Sequence, residues 1–445
     1  MSRFVAAAGA QPSTQVGGRS SPIERVAMLS VHTSPVATLG GKDAGGMNVH
    51  VRELARELGR VGVEVDIFTR RSDDTTPEVA VIADRVQVVT IDAGPPARMA
   101  KDEVFCVLPD FASECALYSL RAGTRYDVVH SHYWLSGWAS HLLHRYWNAP
   151  TVHTFHTLAR LKNAVYQNGF AESDVRSQVE RRLLDVLDYV IAPNPDERAE
   201  MVWRMGGDNS KICIIPPGVD LTRFHPVDPG QARARLDLPD NPLVLFVGRV
   251  DPMKGIDTLL DGFSLLRSEA WPDLPPKLVF IGGSLVDGQP DAELAAVVHR
   301  AEALGIANDV LFRGSAPQDI LPDYYAAATV AAVPSRYESF GLVAVEAMAC
   351  GLPVVASRAG GLKFTVEDGR SGLLVPPEQP RAFASALSRV IRDAGLRSSL
   401  QVGARQAAIR FSWYAVGPAM LNLYERLAEG ERENLCCPGE VYDAS

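Results

Sequence analysis

Two cations and two carboxylates recur at fixed intervals in the second half of the chain. Gly248-Arg249-Val250-Asp251-Pro252-Met253-Lys254-Gly255 follows the apolar run 244–247, and Glu338-Ser339-Phe340-Gly341-Leu342 leads on to Glu346. A continuous apolar run reads as a strand covered on both faces. Arg249 and Lys254 then emerge at its carboxyl end, where open parallel sheets bind ligands. Positive charge fixed there suits a diphosphate. Beyond Glu338, apolar residues at Leu342, Val345 and Ala349 follow helical spacing, so the backbone N–H groups of Ser339, Phe340 and Gly341 open a helix and offer a second place for an anion.

The first half carries a different set. His32-Thr33-Ser34-Pro35 closes an apolar segment, 25–31, and a glycine loop follows, Asp43-Ala44-Gly45-Gly46-Met47-Asn48. Val51, Leu54, Ala55 and Leu58 then repeat at i, i+3, i+4 and i+7 with Gly59 as a stop, giving strand, glycine loop, helix. Adjacent glycines let backbone approach a ligand, and the helix start favours negative charge. Two short strands, 127–130 and 151–154, lead into Ser131-His132-Tyr133-Trp134 and Phe155-His156-Thr157. Imidazoles and hydroxyls thus gather on one rim and form a pocket. Lys101, in an otherwise unremarkable helix, and Arg176, in a charged segment, are surface charges on their own terms.

These residues need a scaffold, and the chain supplies alternating strands and helices. Further strands are expected at 63–68 and 86–91, and in the second half at 243–247, 278–282, 310–312, 330–333 and 354–356. The fold class is therefore α/β with two doubly wound parallel sheets. With 445 residues, of which 47% are hydrophobic, the chain can fill two or three domain cores. The domains expected are 23–215 and 216–410, joined where Pro216-Pro217-Gly218 opens a stretch ending at Phe224-His225-Pro226. Residues 1–22 read as a disordered leader and 431–445 as a loose tail.

A net charge of −9 argues against nucleic acid as the partner. No apolar run reaches the ~20 residues needed to span a bilayer. The six cysteines, Cys106, Cys115, Cys213, Cys350, Cys436 and Cys437, show no metal-ligand spacing and read as reduced thiols of a cytoplasmic protein.

The order of the motifs, Gly-Arg with Lys five places after the Arg, then Glu338 and Glu346 at a helix start, resembles the retaining glycosyltransferases that use sugar nucleotides on a two-domain GT-B fold. The resemblance implies that Arg249 and Lys254 contact the donor diphosphate, with Gly46, Ser339, Phe340 and Gly341 beside it. Glu338 would face the transferred sugar and Glu346 would hold the ribose hydroxyls. His156 would touch that sugar through its backbone carbonyl or ring. The last helix, 411–430, with Ser412 as its cap, would cross back to the first domain.

Two branches of the family stand nearest, and the resemblance runs from about residue 26 to 427. His32-Thr33-Ser34-Pro35, Asp43 to Val49 and His130-Ser131-His132-Tyr133-Trp134-Leu135-Ser136-Gly137 resemble the branch that attaches N-acetylglucosamine to inositol phosphate in mycothiol synthesis. Gly360-Gly361-Leu362-Lys363-Phe364-Thr365-Val366 is closer to sucrose-phosphate synthases, with Lys363 where the first branch usually carries proline. In that first branch, Lys101, Tyr133, Thr157 and Arg176 would grip an acceptor phosphate, while His32, Asp43 and Asn48 would meet the acceptor's ring hydroxyls.

The expected co-substrate is a UDP-sugar, glucose or N-acetylglucosamine, and the acceptor a phosphorylated polyol or sugar, inositol 3-phosphate ahead of fructose 6-phosphate. No Asp-x-Asp stands on the donor side, so no metal and no other cofactor is expected. A non-catalytic nucleotide-sugar binder is the alternative class, and a homodimer stays open.

Overall fold

The apolar run that ends at His32 forms β1 (Arg25–Leu29), the central strand of the first of two sheets in this computed structural model, which describes residues 23–36, 45–166, 171–286, 289–432 and 435. With it lie β2 (Glu64–Arg70), β3 (Val79–Ala83), β4 (Val86–Ile91), β5 (Val128–His132), β6 (Thr151–Thr154), β7 (Tyr189–Ala192) and β8 (Ile212–Ile214). Their spatial order is β3-β4-β2-β1-β5-β6-β7-β8. Every pairing is parallel except β3 with β4. That antiparallel edge strand, Val79–Ala83, is apolar throughout yet none of its residues is buried, and it is not among the strands expected above.

The second half repeats the scheme with β9 (Leu243–Val247), β10 (Lys277–Ile281), β13 (Val310–Phe312), β14 (Val330–Val333), β15 (Val354–Ser357) and β16 (Gly372–Val375), after a small hairpin of β11 (Leu285–Val286) and β12 (Gln289–Pro290). The order β13-β10-β9-β14-β15-β16 is parallel throughout. In both sheets the first strand lies at the place where strand order reverses. A crevice for ligand opens there, beyond the carboxyl ends. Val244, Phe246, Leu278, Phe280 and Val330 fill one face of the second sheet, and Leu245, Val279, Ala331 and Val333 the other. This two-sided burial is what made β9 legible as a strand.

The chain then returns to the first sheet. The helix Trp413–Ala428 places Val416, Met420, Leu423, Tyr424 and Leu427 in one core with Val26, Met28, Val51, Leu54, Val128 and Val152. The Tyr424 hydroxyl lies 2.6 Å from His130 Nδ1. Close helix approach requires Gly417, where a Cβ would stand 2.7 Å from Glu57 Cγ. Ser412 occupies the cap position without a side-chain capping bond.

Leu435, placed in the expected tail, is buried, and its N–H donates to the Tyr189 hydroxyl at 2.9 Å. The expected leader, Asp43, Cys436 and Cys437 lie outside the described residues. Among those described, no helix is long and apolar enough to cross a membrane, and the cysteines Cys106, Cys115, Cys213 and Cys350 are free thiols.

Candidate active site

The donor motif forms around the carboxyl end of β9. Asp251 caps a short turn, Pro252–Lys254, by accepting from Met253 N at 2.8 Å, and this turn directs Lys254 inward. Lys254 Nζ donates to Glu338, which also accepts from Ser335 Oγ at 3.1 Å. Arg249 lies nearer the surface, 3.8 Å from Asp251. Glu338, Ser339 and Phe340 precede the helix Leu342–Ala349, whose N-terminus begins at Gly341 with φ 92°, a conformation that favours glycine.

Glu346 lies one turn deeper in the same helix. It is buried and accepts from the Tyr325 hydroxyl at 2.9 Å. Burial pushes its carboxyl up to about 7, against the opposing pull of the Tyr325 hydrogen bond and Arg223.

The glycine loop of the first half meets this motif directly. A Cβ at Gly45 would stand 3.7 Å from Arg249 Nε, and one at Gly46 would stand 3.2 Å from Leu342 Cδ1. The helices Gly46–Arg60 and Leu342–Ala349 therefore bring their N-termini together beside Arg249 and Lys254. Two positive helix ends and two cations together favour an anion at this place.

The second cluster centres on Arg176, which is 1% exposed. Its guanidinium donates to Glu180 at 2.6 Å, to the Tyr133 hydroxyl at 2.8 Å, and to Thr157 Oγ1 and its carbonyl at 3.1 and 2.7 Å. Glu172 pairs with it at 2.9 Å. Lys101 Nζ lies 5.6 Å from the centre of the Tyr133 ring, against which the Arg176 guanidinium at 4.7 Å and the His32 ring at 4.4 Å also pack. The structure thus brings Lys101, Tyr133, Thr157, Arg176 and His32 to one place. Burial first, then Lys101 and Arg176, hold the His32 imidazole down to about 3, so it is neutral there.

A polar chain connects the two clusters. Glu172 pairs with Lys162 as well as Arg176, Lys162 lies over the Tyr166 ring, and the Tyr166 hydroxyl donates to Asp251 at 2.9 Å. The cluster around Arg176 and the turn that carries Lys254 are therefore linked side chain to side chain.

Tyr133 and His156, at the ends of β5 and β6, both adopt positive φ, 76° and 63°. Such backbone is strained for residues with side chains and collects at functional sites. The His156 ring turns inward to His132, with Nε2 3.0 Å from His132 Nδ1. Asn48 differs from expectation. Fully buried, it accepts from Gly45 N at 3.2 Å and donates to Thr33 Oγ1 and the Ser34 carbonyl at 2.8 and 2.7 Å, so its amide is consumed in holding the glycine loop.

Comparison with known proteins decides the family. Residues 44–223 match the model for Glycosyltransferase Family 4 and residues 230–407 that for Glycosyl transferases group 1. The D-inositol 3-phosphate glycosyltransferase of Kineococcus radiotolerans is 41% identical over 425 residues, covering 92% of this chain and 97% of that protein. The protein of that name from Xylanimonas cellulosilytica is 43% identical over 411 residues, with coverage of 90% and 96%. Among solved structures, the sucrose-phosphate synthase of Thermosynechococcus elongatus superposes with a TM-score of 0.84 at 36% identity, over 92% of this chain and 100% of that one.

The chain belongs to the GT-B glycosyltransferases. An Anabaena protein in complex with UDP and glucose shares the fold, with a TM-score of 0.70 at 21% identity over 89% of this chain and 98% of that one.

Several residues of this glycosyltransferase site were not singled out in the sequence. Glu172 and Glu180 flank Arg176 at four residues on either side, the helical spacing at which ion pairs form, and that was the available signal. Asn194-Pro195 marks a helix start after β7 and could have pointed to Asn194 and Glu197. His50 had no signal. It is buried beside His132 and His156, and these three are the one group among the described residues whose ligand atoms lie close enough, within 4.8 Å, to hold a metal ion. No carboxylate joins them to offset a divalent charge, and two of the rings already hydrogen-bond to each other.

Proposed function

We propose that this glycosyltransferase moves glucose or N-acetylglucosamine from a UDP-sugar to a phosphorylated polyol, inositol 3-phosphate being the acceptor favoured, with retention at the anomeric carbon. The observation that carries this reading is the convergence of Lys101, Tyr133, Thr157 and Arg176 across the cleft from Arg249, Lys254 and Glu338. A phosphate calls for positive charge and hydroxyl donors, and the cluster offers Lys101 with the Tyr133 and Thr157 hydroxyls, which accept from Arg176 and keep their own protons to donate, while the Arg176 N–H groups are engaged with Glu172, Glu180, Tyr133 and Thr157. Relatives at 41% and 43% identity that carry the inositol 3-phosphate name support the acceptor.

Transfer breaks the bond between the anomeric carbon and the β-phosphate oxygen, and negative charge grows on the leaving diphosphate. Arg249, Lys254 and the two helix N-termini offset it as it develops. The acceptor hydroxyl oxygen bonds the same face of the carbon, and its proton passes to the departing phosphate oxygen. Products are the glycosylated phosphate and UDP. Glu338 orients Lys254 and the sugar, Glu346 accepts from the ribose hydroxyls, and the His156 backbone meets the sugar. Charge at the leaving group comes from side chains and helix ends, so turnover proceeds without a metal or other cofactor, in a cytoplasmic enzyme with reduced thiols.

The sucrose-phosphate synthase likeness favours one second reading, glucose transfer to fructose 6-phosphate. A matrix of UDP-glucose and UDP-N-acetylglucosamine against inositol 3-phosphate and fructose 6-phosphate, with UDP release as readout and EDTA present, separates the two. Turnover with inositol 3-phosphate is expected. Release confined to fructose 6-phosphate selects the second reading, and no release with any pair removes both.

A further inference from the structure

The loop that carries Glu338 is held from both sides. On one side, Gly361 N donates to the Glu338 carbonyl at 2.7 Å, and a Cβ at Gly361 would lie 2.2 Å from the Ser339 carbonyl, so only glycine lets this turn of the second half close on the loop. On the other side the contact comes from the first half. The Tyr337 and Ser339 hydroxyls, flanking Glu338, both donate to Glu197 Oε1, and Asn194 Nδ2 donates to the Ser339 carbonyl at 2.6 Å. Asn194 in turn caps the short helix Pro195–Ala199 by accepting from Glu197 N at 2.9 Å, which fixes where the Glu197 side chain leaves the backbone. Lys363, on the same turn as Gly361, pairs with Asp196.

These contacts join residues 140 to 145 positions apart, across the cleft between the sheets. Glu197 is 1% exposed, and its Oε2 is buried with no hydrogen-bond partner. A buried acid left half satisfied is a cost that packing alone does not require, since an apolar residue would fill the space. What it supplies is one acceptor shared by the two residues on either side of Glu338.

We propose that Glu197 is a positioning residue of the transfer reaction, an acceptor on the first domain that locks the Tyr337–Ser339 loop when the cleft is closed and so sets Glu338 against Lys254 and the sugar. This rests on the reading of Glu338 given above. When the cleft opens, the Tyr337 and Ser339 hydroxyls lose their acceptor to water, and the loop is no longer fixed from that side. Closure and placement of Glu338 become one event, so the site is assembled only around bound substrate.

The test compares Glu197→Ala, Glu197→Gln and Tyr337→Phe with the parent enzyme. Steady-state kinetics use the donor and acceptor pair that turns over, UDP affinity is read by calorimetry, and small-angle scattering reports cleft closure with and without UDP. Misplacement of a group at the reacting centre by about 1 Å costs up to ~100-fold, so Glu197→Ala is expected to lower kcat by about tenfold to a hundredfold. Its UDP affinity should stay within about threefold, because the diphosphate cradle is untouched, and its radius of gyration in UDP should exceed the parent's. Glu197→Gln keeps the shared acceptor and should recover most of kcat. Tyr337→Phe, which leaves Glu197 in place, should show a smaller fall of the same kind and covers the case in which the alanine variant does not fold.

Parent kcat and parent scattering in Glu197→Ala overturn the proposal. So does an equal loss of kcat in the alanine and glutamine variants, which would make the residue merely structural. If the parent transfers no sugar, the proposed function fails, while the scattering comparison still decides whether Glu197 closes the cleft.

Discussion

Lys254 and Glu338, 84 residues apart, form an ion pair that joins the turn after β9 to the loop before the helix Leu342–Ala349. The pair is only partly exposed, with side chains at 22% and 17%, and it fixes the ammonium beside two helix N-termini. Preorganised charge of this kind lowers the barrier most where the leaving group gains charge, as it does in the transfer proposed.

Lys254→Ala should therefore lower turnover by about two to three orders of magnitude, as loss of a preorganised donor does elsewhere. UDP affinity should fall less, since Arg249 and the helix ends remain. Steady-state kinetics with calorimetric UDP binding check this. A variant within about threefold of parent turnover would take Lys254 out of the mechanism.

The acceptor cluster makes a more selective demand. Arg176 is buried between Glu172 and Glu180, and breaking a buried ion pair costs about 3–5 kcal/mol, so Arg176→Ala should unfold at lower denaturant and cannot report on acceptor binding alone. Lys101 lies at the edge of the cluster and is the better probe. A charge-assisted hydrogen bond to phosphate contributes about 1.5–3 kcal/mol, so Lys101→Ala should raise the acceptor KM roughly tenfold to a hundredfold and leave the donor KM nearly unchanged. Equal changes in both would place Lys101 outside the phosphate grip.

Glu346 gives the donor site a pH dependence. Its carboxyl is pushed up to about 7 by burial, so it becomes protonated as pH falls through neutrality. The protonated acid retains fewer acceptor sites for ribose hydroxyls. UDP affinity should weaken from pH 8 to pH 6, and Glu346→Gln should bind weakly with a flat profile. Calorimetry across that range decides it, and a flat parent profile would show that Glu346 does not hold the ribose.

Acid should destabilise the fold through the buried imidazoles. His32, His50, His130, His132, His153 and His156 all have values lowered by burial, so the unfolded chain takes up protons from about pH 6.5 downward while the folded chain does not. Stability from these groups is complete above that pH and is lost as pH falls towards about 3 to 4. Glu197 and Glu346, pushed up to about 7 by burial, act in the opposite sense and are stabilising as pH falls from there towards the ordinary carboxylate range, and Glu180, raised by burial, acts in the same sense. The six imidazoles outnumber the three carboxyls, so denaturant midpoints should fall between pH 6.5 and 5 and more steeply below. A midpoint that holds or rises between pH 6.5 and 5 would show that the imidazoles are not kept neutral.

The parts of this architecture with two-sided burial were legible from sequence. β4, β9, β13 and β14 fall where their apolar residues cluster, and β6 falls at 151–154 as expected. The edge strand β3 was not, although its five residues are all apolar, because it is held by pairing with β4 and buries none of them. The donor motif was legible because its residues are close in sequence and sit at strand and helix ends. The acceptor cluster was assembled by resemblance, since nothing local links Lys101 to Arg176. Two facts needed coordinates. The amide of Asn48 turns away to Thr33 and Ser34, and Glu197 reaches the opposite domain, a contact with no local pattern to announce it.

The central claim is that an acceptor phosphate is recognised opposite a UDP-sugar, and one comparison tests it most directly: acceptor kcat/KM for inositol 3-phosphate against plain inositol, with UDP-N-acetylglucosamine and UDP-glucose as donors. Loss of charge-assisted contacts worth about 1.5–3 kcal/mol predicts at least tenfold preference for the phosphate. Lys101→Ala should narrow that preference. If the enzyme uses the plain polyol as readily as its phosphate, the cluster around Arg176 is not a phosphate site, and the inositol phosphate and fructose 6-phosphate readings fall together.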